Sequence, residues 1–358
     1  MHIVFAPDSY GGFLSSVNAC ERVEAALASH GIFISPHPMS DGGEGLLEAL
    51  IAHGTIELHG TEVCGPMTAP VFASIGRKDG CWWVEAAEAI GLQHVQTQRK
   101  PLQATSSGLG ELIRAACVKG PGPLVIGLGG SATVDAGLGM LQELGLTAIN
   151  KQGQTIQPHG CGADLSDIAR LEGEPAISDR LFRVLCDVRT PIDECVATYG
   201  PQKGLKNNEI ARQNEAMNQW VCVLNEWRKV HDLKPLPTSI SGGGAAGGIG
   251  YALASVLKAH LVDGARFVAK ITRLKEAIAN AEIVIIGEGR LDPTSYQGKV
   301  AEIVTDLARK QSAKVVAFVG THSDVPAAPL GPDFIIDING ESDAAFQSAV
   351  EELAASLQ

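Results

Sequence analysis

The chain has 358 residues, of which 45% are hydrophobic and only 5% aromatic, and its formal net charge is −12. This composition predicts a folded protein with room for about two domains rather than a disordered chain. The acidic balance without a Lys/Arg-rich run disfavours nucleic acid and anionic membrane as partners, and the lack of a C-x-x-C pair, of a long apolar window and of a signal-peptide pattern predicts a reduced, cytoplasmic protein.

The first part of the chain alternates strand and helix patterns. An apolar run at 2–6 predicts a strand, and Ser15 or Ser16 can then cap a helix. A second strand is predicted over 32–38, followed by a helix that opens at Asp41 and ends near Gly54. This βαβα order predicts a parallel sheet.

From residue 55 the texture changes to short alternating runs at 55–63, 71–77 and 81–85, which turn residues separate. They predict an antiparallel meander in another domain. Apolar periodicity predicts the remaining elements: helices at 105–120, 132–144, 207–230 and 299–310, strands at 124–128, 182–186, 283–287, 314–319 and 334–338, and a hairpin near 151–153.

We therefore expect a two-domain α/β protein. A doubly wound parallel-sheet domain of Rossmann or flavodoxin type is expected from residues 1–56, 94–145 and 271–358. An inserted α+β domain is expected from residues 57–93 and 146–270, with an active-site cleft between the two.

Acidic side chains follow several predicted strands. Asp8, Asp41 and Glu288 stand where strands are expected to end, and ligands of open parallel sheets bind at that edge. Asp41 and Glu44 also have the spacing of a helix capping box, which explains the carboxylates but not the glycines around them.

The segment Gly287–Asp292 combines two acids with Arg290 beside glycines, and Lys299 follows it. This combination fits Mg²⁺ and phosphate handling, with a surface ion pair as the alternative.

Two further glycine-rich loops precede predicted helices, at 127–135 and 241–250. The first is either a tight turn capped by Ser131 or a phosphate cradle with the Ser131 and Thr133 hydroxyls as donors, and it lacks the lysine of a P-loop. The second favours an anion at a helix N-terminus over a flexible linker. Asp187 and Lys203 are either solvated loop charges or groups of a phosphoryl-transfer site.

Taken together, the chain resembles the bacterial-type glycerate kinase family, which is unrelated to the ribokinase-like and P-loop glycerate kinases. Seven blocks carry the resemblance in family order: residues 6–9, 41–45, 127–133, 186–188, 201–204, 243–248 and 287–292 with 298–299. The resemblance implies ATP- and Mg²⁺-dependent phosphorylation of glycerate to a phosphoglycerate, with 2-phosphoglycerate as the expected product.

Roles follow from this resemblance as hypotheses. Asp187 is expected to be the general base, and Asp8 to position the acceptor. Mg²⁺ is assigned to Glu288, Asp292 and Asp41, and neutralisation of the substrate carboxylate or the moving phosphoryl group to Lys203 and Arg290. Nucleotide contacts are assigned to a larger set: Gly129, Gly130, Ser131, Thr133, Gly244, Gly247 and Lys299.

The chain departs from the family pattern in its first loop, where Gly11 replaces a lysine, and after Asp187, where Arg189 and Thr190 replace Thr-Asn. These changes leave open a kinase of another small hydroxy acid, or a binding protein that senses a hydroxy acid or nucleotide without turnover. A nicotinamide-dependent dehydrogenase is disfavoured because no G-x-G-x-x-G follows the first strand, and a homo-oligomer stays open.

Overall fold

The computed structural model describes residues 1–54, 56–96, 99–177 and 180–357. Residue 55, the first of the predicted strand 55–63, lies outside the described residues. The chain forms two compact units, one of Met1–Thr55 with Gly264–Gln358 and the other of Ile56–Asp263. The predicted class, an α/β protein in which a second domain is inserted into a parallel-sheet domain, is confirmed. None of the described helices is long and apolar enough to cross a membrane.

The described strands are, in chain order, β1 (Ile3–Pro7), β2 (Ser35–Pro36), β3 (Glu57–Cys64), β4 (Pro70–Lys78), β5 (Cys81–Glu85), β6 (Leu124–Leu128), β7 (Thr147–Asn150), β8 (Ile168–Glu172), β9 (Phe182–Cys186), β10 (His260–Asp263), β11 (Ile283–Leu291), β12 (Lys314–His322) and β13 (Phe334–Asp337). The described α-helices are α1 (Ser16–Ser29), α2 (Leu46–Ala52), α3 (Ala86–Ile90), α4 (Ser107–Lys119), α5 (Leu138–Glu143), α6 (Ile192–Lys203), α7 (Asn207–Val230), α8 (Ala245–Val256), α9 (Gly264–Ile271), α10 (Leu274–Ala277), α11 (Val300–Lys310) and α12 (Asp343–Ser356).

The first unit is built on a parallel sheet of five strands in the order β13-β12-β11-β1-β2. The strands β1 and β11 are parallel neighbours, with Pro7 opposite Gly287. The residues that follow these two, Asp8 and Glu288, therefore lie side by side. The core beneath them includes Phe318, which packs edge-to-face on Phe346 with ring centroids 5.6 Å apart. The sheet therefore fixes where Asp8 and Glu288 stand relative to each other.

The second unit contains a mixed sheet of six strands in the order β10-β9-β6-β5-β4-β3. The strands β3, β4 and β5 are antiparallel, which confirms the predicted meander, whereas β5, β6, β9 and β10 run parallel. Residues 94–145 were expected in the first domain, and the structure corrects this because β6 pairs with β5 and β9. Residues 264–270 are likewise corrected, since α9 belongs with the first unit.

Left-handed residues move two helix starts away from their predicted positions. The helix expected at 132 begins only at Leu138, because Ala136 (φ 47°) and Gly137 (φ 77°) are left-handed. The helix expected to open at Asp41 begins at Leu46, after Gly45 at φ 83°, so the capping-box interpretation is wrong.

Candidate functional site

Three carboxylates of the first unit lie within electrostatic reach of one another at the carboxyl edge of its sheet. Asp8 follows β1 directly, and its amide donates to the Gly287 carbonyl at 2.8 Å. Glu288 is the next residue of β11, which extends further than predicted, so this acid lies inside the strand rather than after it. Asp41 stands in the loop after β2, where its Oδ1 accepts from the Gly43 amide at 2.9 Å. We call Asp8, Asp41 and Glu288 the acid cluster.

Burial and mutual repulsion raise the pKa values of two members of the acid cluster, Asp8 and Glu288. Burial raises the pKa of Asp8 well above its ordinary value, and the charges of Asp41 and Glu288 raise it further, while Lys299 lowers it. Burial raises the pKa of Glu288 to about 7, opposed by Lys299 and by a hydrogen bond from Ser295. Carboxylates held in this way favour a bound cation, which would relieve the repulsion.

The cluster fits magnesium through its donor chemistry. Mg²⁺ commonly takes one or two protein carboxylates and completes its shell with water and phosphate oxygens. Oε1 of Glu288 is buried and has no hydrogen-bond partner among the described residues, as expected of an oxygen kept for a ligand. The described part of the chain contains no group of three or more His, Cys, Asp or Glu side chains that could hold a metal ion, so fewer than three such ligands would come from the protein.

Asp292 and Arg290 are engaged mainly with local partners. Asp292 caps a short 3₁₀ turn, its Oδ1 accepting from the Thr294 amide at 2.8 Å and from the Thr294 hydroxyl at 2.6 Å. Although burial raises it, these hydrogen bonds and the charge of Arg290 hold the pKa of Asp292 below its ordinary value. The Arg290 side chain is 69% exposed, with Nε 3.4 Å from Oδ2 of Asp292. The assignment of Asp292 to magnesium therefore competes with a capping role.

The second unit holds a buried cation whose hydrogen-bond partners are neutral oxygens. Lys203 is 7% exposed, and its Nζ donates to Ser131 Oγ and to the Thr133 carbonyl, both at 2.8 Å. Burial lowers the pKa of Lys203 to about 8, while the charges of Cys195, Asp187 and Asp135 raise it. No ion pair joins Lys203 to a carboxylate within the described ranges. A buried cation of this kind is favourable for an incoming anion.

Glycines bring the backbone against this cation. Gly247, at φ 71°, has no room for a side chain, because a Cβ there would lie 2.2 Å from the Thr133 carbonyl oxygen and 3.1 Å from Lys203 Nζ. The Thr133 hydroxyl is buried and has no hydrogen-bond partner among the described residues. We call Ser131, Thr133, Lys203 and Gly247 the anion cradle.

The other predicted glycines lie in the two loops that also carry residues of the anion cradle. Gly129 and Gly130 follow β6 directly, and Gly130 is left-handed at φ 61°. Gly244 precedes α8, where a Cβ would lie 2.7 Å from that of Cys195. The structure therefore places both glycine loops of the second unit around Lys203.

Asp187 follows β9, and its amide donates to the Leu128 carbonyl at 3.2 Å. It lies close enough to Lys203 to raise the pKa of that amine. Sequence reasoning did not assign a role to Asp135, which is fully buried and accepts from the Ser106 hydroxyl at 2.6 Å and the Ser106 amide at 2.8 Å. Its position in the run 131–135 could have marked it as part of the site. Its hydrogen bonds orient the loop that carries Thr133.

Comparisons with known proteins show the family of the chain. A model of the glycerate kinase family matches residues 3–357. The "Glycerate 2-kinase" of Escherichia coli (strain K12) is 36% identical over 335 residues, which cover 90% of this chain and 86% of the relative. The "Glycerate kinase" of Bacillus subtilis (strain 168) is 34% identical over 335 residues, with the same coverage of 90% and 86%.

A solved structure is similar over the full length. The crystal structure of the Salmonella typhimurium LT2 protein assigned as glycerate kinase 2 has a TM-score of 0.76 at 32% identity, and the match covers 100% of this chain and 98% of that chain. The predicted resemblance is confirmed: the chain belongs to the glycerate kinase family.

Proposed function

We propose that this protein is a glycerate kinase that transfers the γ-phosphoryl group of ATP to glycerate and forms 2-phosphoglycerate. Family membership supports the reaction class, and the name of the Escherichia coli relative supports the 2-isomer. The observation that carries the proposal is Lys203, a buried cation bonded to neutral oxygens. Such a group is suited to the charge that gathers on a transferring phosphoryl group.

Each cluster has its own part in the transfer. The anion cradle binds phosphate oxygens through the Ser131 and Thr133 hydroxyls, and Lys203 neutralises the moving group. Within the acid cluster, Glu288 and Asp41 would hold Mg²⁺, and the ion would neutralise charge on the phosphates when bound.

The acceptor side is assigned to Asp187 and Arg290. Asp187 takes the proton of the acceptor hydroxyl while the hydroxyl oxygen bonds to the γ-phosphorus. The bond from that phosphorus to the bridging oxygen of ADP breaks. Arg290 is exposed and only loosely paired, so it is available to the glycerate carboxylate.

The first loop is the place where acceptor choice would differ from other family members. Gly11 is left-handed at φ 61°, and a Cβ there would point into open space. Tyr10 is buried, and its hydroxyl donates to the Phe318 carbonyl at 2.7 Å, so this loop is held to β12 without a lysine. A larger or different hydroxy acid is the second candidate that this feature favours.

The test compares wild type with Asp187→Asn, using Mg-ATP and D-glycerate, and identifies the product by ³¹P NMR. We expect 2-phosphoglycerate from the wild type and a loss of turnover of about 10³-fold or more in the variant, with an unchanged melting temperature. Unaffected turnover in Asp187→Asn would refute the general-base role, and a 3-phosphoglycerate product would refute the assigned isomer.

A further inference from the structure

The loop that carries Asp187 is tied by its backbone to two other parts of the second unit. At its start, the Asp187 amide donates to the Leu128 carbonyl at 3.2 Å, at the end of β6. Further along, Arg189 O accepts from the Gly242 amide at 3.2 Å, and Thr190 O accepts from the Gly244 amide at 2.9 Å. The loop thus spans from the sheet edge to the glycine loop that leads into α8.

The Arg189 side chain adds a third anchor. Its Nη2 and Nε lie 2.5 Å and 3.2 Å from Oδ2 of Asp263, the last residue of β10. Asp263 is paired in register with Cys186, which immediately precedes Asp187. The Arg189 side chain is 47% exposed and the Asp263 side chain only 19%, and two donors on one partly shielded carboxylate oxygen hold better than a single contact between two exposed side chains. The guanidinium therefore clamps the loop to the neighbouring strand at the level of Asp187.

This loop packs on glycines without intervening side chains. A Cβ at Gly242 would lie 2.6 Å from Cys186 Sγ, and one at Gly244 would lie 2.9 Å from Thr190 O. The same glycine segment continues to Gly247 in the anion cradle. A displacement of Arg189 is therefore passed first to Asp187, two residues away, since close-packed backbone has little slack.

We propose that Arg189 is a positioning residue for phosphoryl transfer, whose ion pair with Asp263 holds Asp187 in its reactive position. The inference rests on the proposed function, because it needs Asp187 as the general base. Arg189 acts through the loop and is not assigned a contact with either substrate. A catalytic group that is misplaced by about 1 Å can lose about 100-fold in rate, so this anchor affects kcat rather than nucleotide binding.

The experiment measures kcat and both KM values for Arg189→Ala, Arg189→Lys, Asp263→Asn and the double variant Arg189→Ala with Asp263→Asn. We expect Arg189→Ala to lower kcat about 10- to 100-fold with the KM for ATP nearly unchanged. Asp263→Asn should do the same, and the double variant should be no slower than the worse single variant, because both remove one interaction. Arg189→Lys should recover part of the rate. The matched control is Arg170→Ala, which breaks an exposed ion pair of the same unit and should leave kcat unchanged.

Three outcomes would overturn the inference. One is full kcat in Arg189→Ala while Asp187→Asn is inactive, which leaves the proposed function standing. Another is strictly additive losses in the double variant. The third is a loss of rate that only follows the folded fraction seen by circular dichroism. Full turnover in Asp187→Asn would instead refute the proposed general base, and with it the reason for an anchor.

Discussion

Replacing Gly247 by alanine tests whether the anion cradle needs a bare backbone. The new Cβ would lie 2.2 Å from the Thr133 carbonyl oxygen, so one of the two segments must move by about 1 Å, a shift that can cost about 100-fold in rate. The left-handed φ of 71° adds about 1–2 kcal/mol for any residue with a Cβ, and overpacking adds about 1–3 kcal/mol. We expect the free energy of unfolding to fall by about 2–5 kcal/mol and kcat to fall about 100-fold in the folded fraction.

The matched control is Gly153→Ala. Gly153 has a similar φ of 80°, but a Cβ there meets nothing within 4 Å. The backbone cost is then shared, about 1–2 kcal/mol, and the steric cost is absent. Chemical denaturation gives the stability difference, and an ADP-release assay gives kcat. Equal effects of the two substitutions on kcat would refute the claim that Gly247 gives room to the cradle.

Three other predictions concern charge. Lys203→Met should lower kcat about 100-fold or more, and the wild-type kcat should fall as the pH rises above about 8, where Lys203 loses its proton. A Lys203→Met variant with the kcat of the wild type would contradict this. Burial raises the pKa of Glu288 to about 7, and the charge of Lys299 opposes that rise. Lys299→Met should therefore move the acidic limb of the pH–rate profile to higher pH, and an unmoved limb would rule out Glu288 as its origin. Burial lowers the pKa of His37 from 6.5 to about 3, so the unfolded state takes up a proton before the folded state does as the pH falls. The stability from neutral His37 is complete above pH 6.5 and is lost as the pH falls towards 3, by up to about 1.4 kcal/mol per pH unit. His37→Gln should reduce this dependence of the free energy of unfolding on pH, and an equally steep dependence in the variant would show that other groups cause it.

Local patterns were sufficient for elements whose ends are marked in the sequence. The predicted strands at 124–128 and 182–186 and the helix at 207–230 have the observed bounds, since each is an apolar or periodic run between turn residues. The sheet to which β6 belongs is not a local property. It depends on pairing with β5 and β9. The prediction therefore assigned residues 94–145 to the wrong domain.

The site shows the same division between local and distant information. Acids and glycines after strands could be identified because their residue types and positions already suggest a ligand. The environment of Lys203 could not, because its hydrogen bonds reach back 72 residues to Ser131 and 70 residues to Thr133. The helix α6, which carries Lys203, was not predicted. It contains Pro201 within its last turn, and proline inside a helical pattern argues against a helix.

The most direct test of the proposed kinase activity is a steady-state ADP-release assay with Mg-ATP and D-glycerate, run beside L-glycerate, glycolate, lactate and tartronate. We expect saturable turnover with D-glycerate that is lost in Asp187→Asn and strongly reduced in Lys203→Met. ATP binding without ADP release from any of these acids would contradict it, and would favour a protein that senses its ligands without turnover.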